Sequence, residues 1–249
     1  MKSPNSPLNS MQKALRSAYR SFGTSFFHPQ WVINRIHRAS QAVVAKLSGM
    51  TILDIGSGDS SLYKMLESEN RVFRLDYPVT NRNYAHLPDI YADAHNLPIA
   101  DNSADVVLVF EVLEHVTNPA DVCAELARVL RNRGKLYLST PFLYPIHDAP
   151  HDYQRLTIHG LRHLLNQQNL EVIEEKQHGN SFLAVLQLFN LSLLELVRRS
   201  FAVNEAVGIF VGLVLYPAMI LANLFAIPLL KCASLDAACL GYFIVARKN

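Results

Sequence analysis

The chain has 249 residues, of which half are hydrophobic and 18% charged, with a net charge of +2. This length accommodates one α/β domain with an elaboration. The net charge is too small to argue for a nucleic-acid partner, and none is expected. Cys123, Cys232 and Cys239 form neither a metal-type spacing nor an even disulfide set, which points to a reducing compartment.

Charge is unevenly spread. No acid precedes Asp54, whereas Lys2, Lys13, Arg16, Arg20, Arg35, Arg38 and Lys46 all do. Residues 1–10 have a disordered composition, and 11–20 read as a short basic helix. A secretory leader would need an apolar run that this end lacks. A mitochondrial transit peptide remains open beside an amphipathic helix lying on the domain or on an anionic membrane. The aromatics between 11 and 31 favour the second. Pro29 interrupts the chain, and 31–47 resume helical spacing at Ile33, Ile36, Val43, Val44 and Leu47.

From residue 51 strand and helix alternate. Strands are expected at 51–55, 72–75, 90–92, 105–110, 135–139, 170–175 and 242–247. Helices are expected at 60–66 (capped by Asp59 or Ser60), 119–130 and 157–168. The alternation predicts an α/β fold: a doubly wound, mostly parallel seven-stranded sheet with helices on both faces. A basic helical segment precedes it at 1–48. The core covers 49–180, a hydrophobic helical insertion 181–236, and the last strand 237–249.

The first strand ends in Asp54 and breaks into Gly56-Ser57-Gly58-Asp59. Glycines let a ligand approach the backbone closely. A loop for a pyrophosphate would not carry acids, and the third glycine of the dinucleotide fingerprint is here Ser61. An acid-rimmed turn suits a phosphate-free nucleoside with positive charge, such as S-adenosylmethionine. Acids recur at the carboxyl ends of the next strands, at Asp76, Asp93 and Glu111, where ligands of open parallel sheets bind. Asp76 follows Asp54 by 22 residues, near the ~20-residue spacing of a ribose-binding acid.

These segments resemble the class I S-adenosylmethionine-dependent methyltransferases, of Rossmann-like fold, and within them the type 11 group. The matching stretches are ILDIGSGDS, Asp76, ADAHNLPIADNSADVVLVFEVLEHV, ELARVLRNRGKLYLSTPF and the terminal GYFIVARK. The resemblance implies a methylating enzyme. Asp54, Gly56, Ser57 and Gly58 would hold the methionine end of the cofactor, Asp76 and Tyr77 the ribose, and Asp93, Ala94 and His95 the adenine, with Glu111 beside them. Asn132-Arg133-Gly134 replaces the family's Pro-Gly-Gly and should alter only a turn. Glu111, Glu114 and His115 form a Glu-x-x-Glu-His pattern that resembles ubiquinone O-methyltransferases and small-RNA ribose methyltransferases, where it binds a divalent ion with a further histidine. That makes Mg2+ a candidate cofactor, with His147 or His151 as the added ligand; the alternative is a hydrogen-bonded cluster without metal.

The segment 141–157 follows the fifth strand and is dense in His147, His151, Asp152, Tyr153 and Arg155. Methylating a hydroxyl requires a base, and His147 or His151 oriented by Asp152 would serve. The alternative is a structural Asp152–Arg155 pair. The HDAPHDYQRLT pattern resembles methyltransferases associated with surface-glycan pathways, as does FHPQW at 27–31.

Residues 182–197 are largely apolar, Arg198 and Arg199 read as a charged joint, and 206–230 carry no charge. Because the last strand belongs to the same sheet, a single membrane crossing is excluded. A hairpin crossing would use a first arm of roughly 24 Å against a hydrocarbon core of about 30 Å. The other possibilities are a re-entrant fold at Pro217, an interfacial anchor, or a soluble cap or dimer face. The expectation is an enzyme on the cytoplasmic side of a membrane, methylating a small-molecule or lipid-linked acceptor. A soluble cytoplasmic enzyme, a metal-assisted quinone-type enzyme and a non-catalytic scaffold are the alternatives.

Overall fold

A computed structural model of the chain describes residues 23, 25–58, 66–78, 87–231 and 238–249. The helices expected over 11–20 and 60–65, with Asp59, Ser61 and Cys232, lie outside the described residues.

Helix α1 (Trp31–Val44) leads to strands β1 (Thr51–Ile55), β2 (Arg71–Asp76), β3 (Ile90–Tyr91) and β4 (Ala104–Phe110). A 3-10 turn at Leu113–His115 precedes helix α2 (Pro119–Val129), strand β5 (Leu130–Pro141), helix α3 (Ile158–Gln167) and strand β6 (Leu170–Gln177). Two long helices, α4 (Ser181–Val203) and α5 (Glu205–Leu229), precede the final strand β7 (Gly241–Lys248). Local chemistry sets these limits. Asn118 caps α2 by accepting from the Ala120 N–H at 3.2 Å, with proline in its first turn. Thr157 caps α3 through Gly160 N at 3.1 Å.

The seven strands run in the order β3-β2-β1-β4-β5-β7-β6. β1 pairs in parallel with both β2 and β4, and β7 alone runs antiparallel, between β5 and β6. Strand direction is invisible to hydrophobic pattern, so the sheet proves mostly parallel in this specific way. β5 starts directly at the end of α2 and bulges: Ala104 pairs with Leu130 but Val106 with Lys135. The looped-out residues include Arg133 in the left-handed region at φ 65°. The altered turn is thus absorbed as a bulge at the sheet's amino end, away from the strand ends that carry acids.

One face of the sheet buries Leu53, Ile55, Val107, Val109, Leu138 and Ile244 against α2 and α3. The other buries Ile52, Val106, Leu108, Tyr137, Phe243 and Val245 with Val44. This alternation of faces along every central strand is what the near-continuous apolar runs encode.

The chain divides into two compact units. The catalytic-type core comprises Ala39–His178 with Cys239–Asn249; the described residues up to Arg38 join Gly179–Ala238 in the other. The boundary therefore falls inside α1 and not at residue 48, because Val44 is fully buried in the sheet's core. The insertion also departs from expectation. α4 runs unbroken through Arg198 and Arg199, which both pair with Glu195 at 2.7 and 2.8 Å, so they form no joint. α5 is continuous through Pro217, which removes the re-entrant fold there.

Ile244 is fully buried and pairs with Leu138 of β5 and Glu175 of β6. Ile244→Ala is expected to cost roughly 2–5 kcal/mol, read as a lower denaturant midpoint at unchanged m. A shift below about 1 kcal/mol would mean that this sheet centre collapses around the cavity.

Candidate active site

The glycine turn after β1 is stitched to the end of β2. The Gly56 and Ser57 N–H groups both donate to Leu75 O, at 2.8 and 3.1 Å. Gly58 N–H donates to Asp76 Oδ2 at 3.1 Å and Tyr77 N–H to Asp76 Oδ1 at 2.7 Å. Each oxygen of Asp76 is thus anchored by one backbone donor and keeps acceptor capacity for a ligand hydroxyl. Gly56 has φ +70°, and a Cβ there would lie 2.3 Å from Val112 Cγ2, so no side chain fits. At Gly58, φ +51°, the nearest atom to a built Cβ among the described residues is Gly56 O at 4.0 Å. Asp54 and Ser57 are buried and Tyr77 is exposed.

Beyond β3, Asp93 Oδ1 accepts from His95 N at 2.9 Å and from His95 Nδ1 at 2.6 Å. The His95 backbone N–H is the first cause holding the Asp93 carboxyl below its usual range. The loop carrying Asp93, Ala94 and His95 is clamped from α2: Glu125 accepts from Leu97 N at 2.7 Å, and Arg128 donates to Leu97 O and Ile99 O. Asp54, Gly56, Gly58, Asp76 and Asp93 thus sit at the carboxyl ends of adjacent strands. The chemistry of this arrangement fits S-adenosylmethionine, whose cationic and hydroxyl-bearing parts suit carboxylates, and no phosphate-type cradle is present among these residues.

The chain leaves β4 through Glu111, a non-glycine residue at φ +55°. That conformation costs on the order of 1–2 kcal/mol. Glu111 N–H donates to Ser139 O at 3.0 Å, and Glu111 Oε1 accepts from Ser139 Oγ at 2.6 Å. The following turn puts Glu114 almost wholly inside the protein, with no hydrogen-bond partner on either carboxylate oxygen. Burial, and next the charge of Glu111, push its pKa well above the ordinary carboxylate value.

Two histidines face this carboxylate. His115 Nε2 lies 3.8 Å and His147 Nε2 3.9 Å from Glu114 Oε1. Their rings meet edge-on at 4.8 Å. His115 Nδ1 contacts His151 O at 2.6 Å, and His147 Nδ1 contacts Pro145 O and Asp152 Oδ2, each at 3.3 Å. Those partners only accept, so each Nδ1 carries a proton, and in a neutral ring the Nε2 then presents its lone pair toward Glu114. Burial lowers the His115 pKa, which keeps its ring neutral.

The sequence grouped Glu111, Glu114 and His115. The structure brings together Glu114, His115 and His147, and ties Glu111 to Ser139. His151 also stands apart: its Nδ1 contacts Tyr153 OH at 3.2 Å, and its carbonyl serves His115. Asp152 contacts both Arg155 and the loop histidine. It pairs with Arg155 and receives His147 N–H at 2.9 Å. Arg155 is the first cause holding its carboxyl down to about 2.

Sequence reasoning missed Gln154, whose Nε2 donates to Leu113 O at 2.8 Å and Val116 O at 3.0 Å. With Tyr153 N–H on Glu114 O at 2.9 Å, it fastens the loop to the turn that bears Glu114 and His115. An amide in a polar loop gives no advance signal of such a role. Val112 and Ser139 were likewise silent. Gln154→Ala should destabilise this region by about 1–3 kcal/mol and speed amide exchange at Tyr153. Unchanged exchange there would show that the fastening does not depend on the amide.

Known proteins converge on the same reading. Residues 53–138 match the family model described as a methyltransferase domain. A Mycobacterium tuberculosis protein named as a probable S-adenosylmethionine-dependent methyltransferase is 32% identical over 107 residues, covering 41% of this chain and 39% of that protein. The 27-O-demethylrifamycin SV methyltransferase of Amycolatopsis mediterranei is 28% identical over 146 residues, covering 50% of this chain and 54% of its own. The chain thus spans about two fifths to half the length of these curated relatives. The solved S-adenosylmethionine dependent methyltransferase of Mesorhizobium loti superposes with a TM-score of 0.53 at 16% identity, covering 88% of this chain and 98% of that one, and this likeness shows the fold. Residues 53–138 thus carry a methyltransferase domain, and the strand order is that of the class I S-adenosylmethionine-dependent methyltransferase fold.

Proposed function

We propose that the whole chain is an active S-adenosylmethionine-dependent methyltransferase acting on a hydroxyl of an amphipathic or lipid-linked acceptor at a membrane surface. The observation that carries the cofactor assignment is the glycine turn: Gly58 donates to Asp76, and Gly56 tolerates no side chain. When bound, the cofactor supplies a methyl group on a positively charged sulfur. Asp54, Gly56, Ser57 and Gly58 would hold its methionine end, Asp76 with Tyr77 the ribose, and Asp93, Ala94 and His95 the adenine, beside Glu111. An acceptor hydroxyl must lose a proton as it is methylated. His147, whose backbone N–H and Nδ1 contact Asp152, would take it through Nε2. The relative acting on 27-O-demethylrifamycin SV supports an oxygen acceptor, and α4 and α5 support a membrane-linked one. Calorimetry with S-adenosylmethionine tests the reading. Wild type should bind, and Gly56→Ala and Asp76→Ala should each weaken binding at least about tenfold, which is roughly 1.4 kcal/mol. Absence of binding by the folded wild type at high micromolar cofactor overturns the enzyme reading and leaves a scaffold.

A second reading rests on the convergence at Glu114. Three acceptor atoms meet within 4.8 Å of one another, and the buried carboxylate has no donor. Such a point requires a proton or a cation. Both imidazoles are held by carbonyl or carboxylate partners at the opposite nitrogen, as metal-bound histidines are. A divalent ion held by Glu114, His115 and His147 would polarise the acceptor oxygen. A set of two imidazoles and one carboxylate suits a first-row transition ion better than Mg2+, which prefers oxygen ligands, and Mn2+ serves as a paramagnetic probe of it. The readings compete for His147 Nε2, which serves either as base or as ligand. Titration of Mn2+ followed by electron paramagnetic resonance separates them: one bound ion lost in Glu114→Gln and His147→Ala supports the metal. Full activity of the chelated enzyme excludes it.

A further inference from the structure

We propose that α4 and α5 cross a lipid bilayer as a hairpin, with the Asn204 turn on the face opposite the methyltransferase domain. The inference deepens the membrane-surface reading and rests on it.

Polarity in this unit is inverted relative to a water-soluble protein. The outer surface is apolar: Phe189, Leu196, Phe210, Leu213, Leu221 and Phe225 are all exposed. The buried side holds the amides of Gln187, Asn190 and Asn223. Asn190 Nδ2 donates to Pro29 O at 3.1 Å and Asn223 Oδ1 at 2.9 Å; Asn223 Nδ2 donates to Phe26 O and His28 O. In hydrocarbon, polar side chains turn inward in this way.

The few polar groups on the outer surface of the arms are satisfied without water. Ser192 Oγ donates to Leu188 O at 2.8 Å, Ser200 Oγ to Leu196 O at 2.9 Å, and Tyr216 OH to Phe27 O at 2.7 Å. Arg198 and Arg199 share Glu195. The irregular stretch 27–30, which packs on the hairpin, follows the same rule. Its carbonyls are taken by Tyr216, Asn223, Trp31 N–H, Asn190 and Asn34 N–H; the N–H groups of Phe27, His28 and Gln30 are taken by Ser25 Oγ, Ser25 O and His28 Nδ1. Non-helical backbone survives at membrane depth only under that condition.

Dimensions decide between crossing and lying flat. α4 has 23 residues and α5 has 25, or about 35 and 38 Å at 1.5 Å per residue, against a hydrocarbon core of about 30 Å. The uncharged stretches are 181–194 in α4, about 21 Å at 1.5 Å per residue, and 206–230 through α5; Lys231 lies at the base, Glu205 at the tip, and Glu195, Arg198 and Arg199 in the tip-side part of α4. The base is tied by Asn180 Nδ2 on Leu229 O at 3.1 Å, and Asn204 ends α4 and caps α5. An in-plane helix needs a polar face, and α5 has none between its ends. β6 and β7 pair in one sheet, so the chain leaves and returns on one side.

The test uses the full chain in membrane vesicles of both orientations and a membrane-impermeant maleimide. Cysteine replaces Val203, which is 80% exposed, or in a second variant Ala206. Lys176→Cys on β6 reports the methyltransferase domain, with labelling of the unsubstituted chain subtracted. Crossing predicts that Lys176→Cys labels in one orientation and Val203→Cys and Ala206→Cys in the other. Labelling of all three in one orientation, or protection of the tip in both, overturns the crossing and leaves the membrane-surface reading intact. Recovery of the protein in the soluble fraction without detergent, including as a dimer covering this face, overturns both.

Discussion

The placement of β1 between two parallel partners is the constraint on which the rest depends. With β2 on one side and β4 on the other, the order reverses beside β1, and the loops after the flanking strands diverge. Such a reversal opens a crevice at the carboxyl edge of a parallel sheet. Each strand bordering it ends in an acid because the register brings Asp54, Asp76 and Glu111 to that edge together. The two glycines take the positive φ that the turn after β1 requires, and Gly56 lets Val112 pack where a side chain would stand. Nothing in the sheet interior needs to be polar for this; the hydrophobic runs fix the strands, and the strands aim the carboxylates.

How far this was legible from sequence follows from what kind of signal each feature leaves. A buried parallel strand is a short apolar run, and an acid at its end stands out against it. Hence Asp54, Asp76, Asp93 and Glu111 were found, and the core elements fall close to their expected limits. Features set through space left no such trace. His147 joins Glu114 from a loop beyond β5, and only folding shows that it, and not Glu111, completes the trio with His115. The antiparallel sense of β7 and the unbroken run of α4 are of the same kind. In α4, two arginines looked like a break because their neutralisation by Glu195, one helical turn away, is an i,i+3 and i,i+4 relation that a linear reading of charge overlooks.

The two parts of the molecule solve the problem of buried polar groups in opposite ways. Around the sheet, apolar side chains fill the interior and polar ones gather where the chain leaves the strands. In the helical unit the amides of Asn190 and Asn223 occupy the interior, and their partners are backbone carbonyls of a non-helical segment. In water that segment could bond to solvent at little cost, so three buried amides spent on its carbonyls would bring a net gain of only about 1 kcal/mol per bond. Away from water each unmade bond costs several kcal/mol, and the same amides become necessary.

The same reasoning applies at smaller scale to Glu114. A carboxylate with no donor on either oxygen is among the least stable arrangements a protein interior can hold, and the neighbouring charge of Glu111 worsens it. A fold selected for stability alone would place an apolar residue there. Instead the chain spends a left-handed Glu111, the Gln154 bonds and the Asp152–Arg155 pair on fixing this turn against the 141–157 loop. With both rings neutral and Glu114 ionised, neither Nε2 has a proton to donate to the carboxylate. What stabilises the site must therefore arrive from outside them: a proton on the carboxylate, or a cation shared by all three. Either species would sit beside the crevice at the carboxyl edge of the sheet, where the proposed acceptor hydroxyl would be placed.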